Sequence, residues 1–379
     1  MCSRFEMLRS TLIFLVILQG AAMVLIYGWY LQVYRKPVND PAPKVHVLLL
    51  SSFRSGSSFM GQVFNHNPSV FYLYEPSRHV WSTLQKYGAR TLRMAMRDQI
   101  RSLFHCDFSV MDSYLPQNPR VSSLFAWSQS RALCSPPVCP ITLRDQFNET
   151  QCKMNCNIEG LQKAQEACDM YNHVVLKIVR VYELESLYPL LEDPNLDLRI
   201  VHLVRDPRGL LLSRERSAGA FVMDDNILLE HRRVPPEEIQ YRVMQEMCRS
   251  HVRINQRAVL NPPPFLKGRY KLVRFEDVAC NAFKEINGIF EFVGLEMTPQ
   301  LEEWLYTATH GKGRGNKKEA FQTSSRNATL VAEAWRTLLP YSKVKRLQEV
   351  CKGAMSLLGY KTVNNETEQK TLDMDLLTP

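Results

Sequence analysis

The chain has 379 residues, of which 45% are hydrophobic and 22% are charged, and its formal net charge is +9. It contains no internal repeat or low-complexity block, which excludes repeat architectures and leaves length for one large or two small domains. The positive charge suits anionic ligands or simple solubility. No nucleic-acid-binding motif is present, so we expect no nucleic-acid partner.

The first predicted element is an apolar segment near the N-terminus. Residues 12–31 are almost continuously apolar, and their number suits one bilayer crossing of about 20 residues. Tyr27 and Trp29 lie at the far end, where aromatic side chains favour the membrane interface. A cleaved signal peptide is the alternative, but no clear small-x-small cleavage site follows. We therefore expect a cytosolic tail, a signal anchor and a short stem over residues 1–11, 12–33 and 34–44.

The next stretch predicts a strand, a small-residue loop and a helix. Residues 45–50 are rich in β-forming residues and too short for a packed helix, and an amphipathic pattern resumes at Phe59. Between them, residues 51–58 contain five serines, one glycine and Arg54. This architecture aims backbone N–H groups and a helix N-terminus at an anion. The loop lacks the lysine and the spacing of a Walker A motif, so an ordinary turn with helix-capping serines is the alternative.

Cysteines and glycosylation sequons indicate an oxidising compartment. Nine of the ten cysteines lie beyond the apolar segment, and their spacings favour disulfides over zinc. The odd number leaves one cysteine unpaired in a monomer, either as a buried free thiol or in a disulfide-linked homodimer. Asn148, Asn327 and Asn365 each begin an N-x-T triplet. We expect a lumenal domain over residues 45–362 and a C-terminal tail over residues 363–379.

A later strand ends at a basic motif. Residues 198–204 predict a strand, and the Asp206-Pro pair beyond it suits a helix N-cap followed by the first helical position. Arg205 therefore lies at a carboxyl strand tip, where open α/β sheets bind ligands, and Ser213 lies two turns along the helix. Arginine there offers a forked, charge-assisted grip on a phosphate. The alternative is that Arg205 or Arg208 forms an ion pair with a neighbouring acidic residue.

Together these segments resemble a known enzyme family. SFRSGSSF resembles the 5′-phosphosulfate loop of sulfotransferases, and VRDPRGLLLSR resembles their 3′-phosphate motif. Further matches occur in order at FYLYEPSRHVW, SRALCSPPVC, HVVLKIVR, GRYKLVRFEDVA and AFQTSSRNA. From about residue 45 to residue 360 the chain is similar to the Golgi galactose/GalNAc/GlcNAc 6-O-sulfotransferases, most closely the corneal and intestinal N-acetylglucosamine enzymes.

The resemblance implies an α/β, P-loop-like sulfotransferase fold with a central parallel sheet, preceded by one transmembrane helix. It implies a single-pass type II Golgi membrane protein that transfers sulfate from 3′-phosphoadenosine 5′-phosphosulfate (PAPS) to the 6-hydroxyl of N-acetylglucosamine, without a metal. The acceptor would be a keratan-type or mucin-type glycan. Galactose or GalNAc as the acceptor sugar, and a type II Golgi glycosyltransferase, are the alternatives. The implied donor-binding residues are Ser52, Phe53, Arg54, Ser55, Gly56, Ser57, Ser58, Arg205, Ser213, Lys312 and Arg314.

The acceptor hydroxyl needs a base, and two candidates follow the second predicted strand. Residues 70–74 predict that strand, and Glu75 precedes proline, which favours extended geometry at the strand tip. Family analogy supports Glu75 as the base, with His79 as the competing candidate. An effective base needs a pKa raised by burial. The alternatives are that Glu75 pairs with Arg78 and that His79 packs beside Trp81.

Three further expectations concern the site. Arg54 acts electrostatically, because arginine does not usefully donate a proton at neutral pH. Tyr74 departs from the methionine of close relatives and is expected to alter the acceptor pocket. Residues 270–275 predict the last strand, and Glu276 and Asp277 are expected to cap a helix that begins near Val278.

Overall fold

A parallel five-stranded sheet organises the fold. The computed structural model describes residues 19–24, 44–140, 147–312 and 325–378. All four strand pairings are parallel, which confirms the predicted α/β fold with a central parallel sheet. The strands are β1 (Val45–Ser51), β2 (Val70–Tyr74), β3 (His173–Ile178), β4 (Asp197–Val204) and β5 (Tyr270–Arg274), in the order β2-β3-β1-β4-β5.

Helices connect the strands and cover the sheet. The α-helices are α1 (Ser57–His66), α2 (Arg78–Thr83), α3 (Ala89–Phe104), α4 (Glu149–Asn155), α5 (Leu161–Asp169), α6 (Tyr188–Leu191), α7 (Pro207–Glu215), α8 (Val222–Leu228), α9 (Ile239–Asn255), α10 (Phe275–Cys280), α11 (Ala282–Val293), α12 (Pro299–Thr309), α13 (Ala328–Glu333), α14 (Trp335–Leu338), α15 (Tyr341–Leu358) and α16 (Glu366–Lys370). Short 3₁₀ turns lie at Phe108–Ser113, Val121–Ser123, Trp127–Gln129, Ala132–Cys134, Leu184–Leu187, Ala218–Phe221 and Pro264–Leu266, and a π-helical turn at Gln256–Leu260.

Strand β1 is buried on both faces of the sheet. Val47 and Leu49 pack into one hydrophobic cluster, and Leu48 and Leu50 pack into the other. This alternation follows from the two-residue repeat of a strand, and it explains why the strand reads as a continuous apolar run. Each buried leucine contributes about 1.5–3 kcal/mol. The tip of β1 is therefore held firmly between those of β3 and β4.

Four disulfides among the described residues confirm the expectation of oxidised cysteines. Three lie within residues 106–168, between β2 and β3, and the fourth joins α9 to α15. Cys280 forms no disulfide and is exposed, so the alternative of a buried free thiol is wrong for it. The pairs are Cys106–Cys168, Cys134–Cys152, Cys139–Cys156 and Cys248–Cys351.

The C-terminal segment is part of the domain. Residues 44–379 form one compact unit. Arg336 Nη1 donates to the Thr371 carbonyl at 2.6 Å, and the buried Gln369 donates to the Leu339 carbonyl at 2.8 Å. The boundary predicted at residue 362 therefore does not separate a tail from the fold.

The N-terminal unit comprises residues 1–43. Residues 19–24 are helical. In the parts of the chain that are described, no helix has the length and apolar character needed to cross a bilayer. Apart from residues 19–24 and 44, the predicted cytosolic tail, signal anchor and stem lie outside the described residues.

Candidate functional site

The loop after β1 enters α1 through Gly56. Gly56 has φ 89°, in the left-handed region, and a Cβ there would lie 2.4 Å from the Phe275 ring. Only glycine fits this position without strain. Within the described chain, α1 begins with neither a side-chain cap nor an acidic residue in its first turn. The helix-capping alternative is therefore wrong, and the first N–H groups of α1 remain available to an anion.

The serines of this loop form polar contacts among themselves and with β2. The hydroxyl oxygens of Ser52 and Ser55 lie 2.7 Å apart, and those of Ser58 and Tyr74 also lie 2.7 Å apart. Phe53 behaves differently, because its side chain is buried against Phe221 at 5.3 Å between ring centroids. The Ser52 and Ser55 hydroxyls thus contact each other inside the buried loop, and the Phe53 ring belongs to the core.

The two predicted phosphate-binding segments meet. Arg54 Nε donates to Ser213 Oγ at 2.9 Å. Arg205 Nη1 donates to the Arg54 carbonyl at 3.0 Å, and Nη2 donates to the Val331 carbonyl at 3.0 Å. Burial lowers the pKa of Arg54 to about 10, and the nearby positive charge of Arg205 adds to the effect. Two guanidinium groups held together in this way favour a bound anion.

The ion-pair alternative holds for Arg208 and not for Arg205. Arg208 Nη2 donates to Asp206 Oδ2 at 2.6 Å, and Asp206 also caps α7 as predicted, accepting the Arg208 backbone N–H at 2.8 Å. Among the described residues, Arg205 forms no ion pair, and its buried Nε–H has no hydrogen-bond partner. An unmet donor of this kind costs about 1–3 kcal/mol. A bound phosphate would satisfy it.

Glu75 lies at the tip of β2, as predicted, in a buried ion-pair network. Its Oε1 accepts from Lys177 Nζ at 2.6 Å, and its Oε2 accepts from Arg180 Nη1 at 2.7 Å. Arg180 Nε in turn donates to Asp224 Oδ1 at 2.8 Å. The predicted alternative of a Glu75–Arg78 pair is therefore wrong. So is the extended geometry expected before proline, because φ of Glu75 is 47°.

The pKa of Glu75 differs from what its proposed role as a base requires. Burial raises the pKa of the carboxyl, but the charges and hydrogen bonds of Lys177 and Arg180 lower it by more, to about 2. The requirement of a raised pKa is therefore not met in this arrangement. The carboxylate is a strong anchor for two cations and a weak proton acceptor.

His79, the competing base, is also engaged. Its Nε2 accepts the backbone N–H of Phe125 at 2.9 Å, which assigns the ring proton to Nδ1. Burial lowers the pKa of His79 to about 4, with smaller effects from the charges of Arg78 and Arg180. The imidazole is thus neutral at pH 7, and its lone pair is occupied.

Sequence reasoning missed Lys177, Arg180 and Asp224. The sequence did offer a signal for Lys177, because a lysine inside an otherwise apolar strand is unusual. In the structure this side chain is 1% exposed. Arg180 and Asp224 offered no such signal. Glu75 and Arg180 are 105 positions apart in the chain, so no local pattern shows that they are partners. Lys312 is exposed, and Arg314 lies outside the described residues.

Glu276 does not cap α10. Its Oε1 accepts the Asp206 backbone N–H at 3.0 Å, and its Oε2 accepts from Tyr360 at 2.8 Å. Burial and the negative charge of Asp206 raise the pKa of Glu276 to about 7. The expected capping role is wrong, and Glu276 instead fixes the backbone beside Arg205.

The three sequon asparagines share one conformation. Asn148, Asn327 and Asn365 are the N-caps of α4, α13 and α16. Each Oδ1 accepts the backbone N–H three residues later, at 3.1, 2.9 and 2.8 Å respectively. A cap uses Oδ1 and leaves Nδ2, the atom that N-glycosylation modifies, outside this bond.

Comparisons with known proteins agree with this geometry. The sulfotransferase domain family matches residues 44–359. Carbohydrate sulfotransferase 6 of Homo sapiens is 54% identical over 338 residues, which cover 89% of this chain and 86% of that protein. Carbohydrate sulfotransferase 5 of Mus musculus is 52% identical over 352 residues, covering 92% and 89% of the two chains. Carbohydrate sulfotransferase 4 of Mus musculus is 46% identical over 338 residues, covering 88% and 86%. The chain therefore belongs to the sulfotransferase family, and its relatives there are carbohydrate sulfotransferases, as its motifs predicted.

Proposed function

We propose that this chain transfers a sulfuryl group from PAPS to the 6-hydroxyl of N-acetylglucosamine in keratan-type or mucin-type glycans. The observation that carries the proposal is the meeting of the two phosphate-binding segments, through Arg54, Ser213 and Arg205. PAPS has negative groups at both its 5′ and its 3′ positions, so it needs two such segments at one site.

The residues present fit this donor. The serine hydroxyls and the uncapped start of α1 would hold the 5′-phosphosulfate. Arg205 and Ser213 would hold the 3′-phosphate, and the unpartnered Nε–H of Arg205 is a donor ready for it. Arg54, placed between the two, would stabilise the charge that develops on the leaving phosphate. Sulfuryl transfer by in-line displacement resembles phosphoryl transfer in depending on this kind of positioning.

Glu75 remains the proposed base, on the condition that its pKa rises when the donor binds. Lys177 Nζ lies 3.5 Å from Ser58 Oγ. One of the two cations that lower the pKa of Glu75 therefore borders residues 51–58, which we call the donor loop. The negative charges of a bound donor would share those cations and raise the pKa of Glu75 toward a useful range. His79 would need to break its bond with Phe125 before it could accept a proton.

The acceptor and location rest on the motif resemblance. Galactose or GalNAc 6-O-sulfation is the second candidate, since the same donor site serves either sugar. The proposal includes a type II signal anchor in the Golgi membrane, a lumenal catalytic domain with N-glycans at the three sequons, and a homodimer that the exposed Cys280 could link.

The test uses the compact unit of residues 44–379, secreted, with radiolabelled PAPS and paired oligosaccharides ending in GlcNAc or galactose. Label on the 6-hydroxyl of GlcNAc supports the proposal. Label on galactose alone keeps the reaction and replaces the acceptor. Heat protection by adenosine 3′,5′-bisphosphate but not by adenosine 5′-monophosphate tests the 3′-phosphate site separately. No transfer and no protection would overturn the proposal.

A further inference from the structure

A chain of side-chain contacts leads from the donor loop to Arg78. Ser58 contacts Tyr74 through their hydroxyls at 2.7 Å. The Tyr74 ring packs on Phe125 at 5.8 Å between centroids, and the Arg78 guanidinium lies 4.4 Å from the centre of the Phe125 ring. Arg78 is therefore linked to the donor loop through two aromatic rings, and its backbone N–H donates to the Glu75 carbonyl at 3.0 Å.

Arg78 differs from the buried arginines around it. Arg180 is paired with Glu75 and Asp224, and Arg214 is paired with Asp225. Among the described residues, the Arg78 guanidinium has neither an ion pair nor a hydrogen bond, and it lies over the Phe125 ring. Stacking on an aromatic ring holds a guanidinium in place while its N–H groups stay open to a ligand.

The positive charge of Arg78 acts on His79, one of the two candidate bases. It contributes to the lowered pKa of His79, whose Nε2 accepts the Phe125 N–H. The Glu75 carboxylate, three residues before Arg78 in the chain, is paired with Lys177 and Arg180. A half-buried cation without an acidic partner, close to both candidate bases in the chain, attracts a negative group on a ligand that binds there.

We propose that Arg78 binds an anionic substituent of the acceptor glycan, a sulfate ester or a carboxylate, and makes the enzyme prefer acidic glycans to neutral ones. This inference rests on the proposed function. The planar guanidinium matches the oxygen pairs of both groups. Because the reaction itself adds sulfate, each sulfated unit would favour modification of the next one.

The test measures kcat/KM of the full chain for three oligosaccharides that share one acceptor end. The first is neutral, the second carries a sulfate ester on the adjoining sugar, and the third carries a carboxylate there. We expect the wild type to prefer the charged acceptors about tenfold at low salt, with the preference falling as salt rises. Preference for only one of the two charged acceptors identifies which anion Arg78 binds.

Arg78→Gln should remove this preference, and Arg78→Lys should retain part of it. Arg90→Gln is the matched control, since it removes an exposed arginine of α3 and should leave the ratio between acceptors unchanged. The inference is overturned if the wild type shows no preference, or if the ratio survives Arg78→Gln. A second measurement is the affinity of the wild type and of Arg78→Gln for the sulfated oligosaccharide, determined by calorimetry with adenosine 3′,5′-bisphosphate present. If the wild type transfers sulfate to none of the three, the proposed function fails, whatever this binding shows.

Discussion

Replacing Glu75 with glutamine tests the buried ion-pair network directly. The side chains of Lys177, Arg180, Glu75 and Asp224 carry two positive and two negative charges, so the network is neutral. The variant leaves one positive charge uncompensated in a region closed to water. Removing one partner of a buried pair in this way is strongly destabilising.

The magnitude follows from the pKa of Glu75. Its fall from 4.5 to about 2, at about 1.4 kcal/mol for each pKa unit, amounts to about 3 kcal/mol. Because the folded pKa lies below the unfolded one, this stabilisation is complete above about pH 4.5 and is lost as the pH falls toward 2. Glu75→Gln should therefore lower the free energy of unfolding by about 3 kcal/mol at pH 7 and flatten its pH dependence in that acid range.

Urea unfolding of residues 44–379, with the disulfides intact, measures this change. Glu215→Gln is the matched control, since its partner Lys343 is 41% exposed and the pair should contribute less than about 1 kcal/mol. Adding Lys177→Met to Glu75→Gln restores neutrality and should recover most of the lost stability. A loss below about 1 kcal/mol for Glu75→Gln, or no recovery in the double variant, would refute the reasoning.

The double variant also separates two roles of Glu75. If Glu75 is the base, the restored fold should bind adenosine 3′,5′-bisphosphate but remain inactive. Activity that returns together with stability would mean that Glu75 acts only by positioning its cations. Lys177 also contacts the donor loop, so bisphosphate affinity must be measured before the turnover is interpreted.

Three further predictions concern single positions. Gly56→Ala should weaken bisphosphate binding at least tenfold, because its new Cβ collides with Phe275; unchanged affinity by calorimetry would contradict this. Arg205→Ala should abolish the heat protection given by the bisphosphate while lowering Tm by only a few degrees, whereas Arg208→Ala should lower Tm much more, because it leaves Asp206 buried and unpaired. Asn365→Asp should remove the glycan and keep the helix cap, whereas Asn365→Gln should remove both and cost about 1 kcal/mol; equal stability of the two deglycosylated proteins would show that the cap contributes nothing.

The sequence predicted the parts of the site that are local in the chain. Strands β1 and β4 could be predicted because both faces of each are apolar, and Arg205 followed from its place after β4. Strand β3 matched only a family motif, since Lys177 interrupts its apolar run. That lysine is tolerated because Glu75, 102 positions away, neutralises it. No local pattern encodes such a partner.

The pKa of Glu75 could not be predicted for the same reason. Burial alone would have raised it, as the role of a base requires. The pKa is lowered instead by two cations, Lys177 and Arg180, which the fold brings to Glu75 at the tips of β2 and β3. The distribution of charge around a buried group is a property of the assembled sheet, so residue type and spacing do not determine it.

The way the last residues are held has a consequence for biosynthesis. Arg336 donates to the carbonyls of Thr371 and Met374, and the Gln369 amide donates to the Leu339 carbonyl just after α14. The acceptors of Arg336 lie at residues 371 and 374, so its contacts can form only after that part of the chain has left the ribosome. A stop codon just before residue 363 would leave buried donors unsatisfied. Cellular quality control would then treat a chain that keeps residues 44–362 as a protein with a defect in its core.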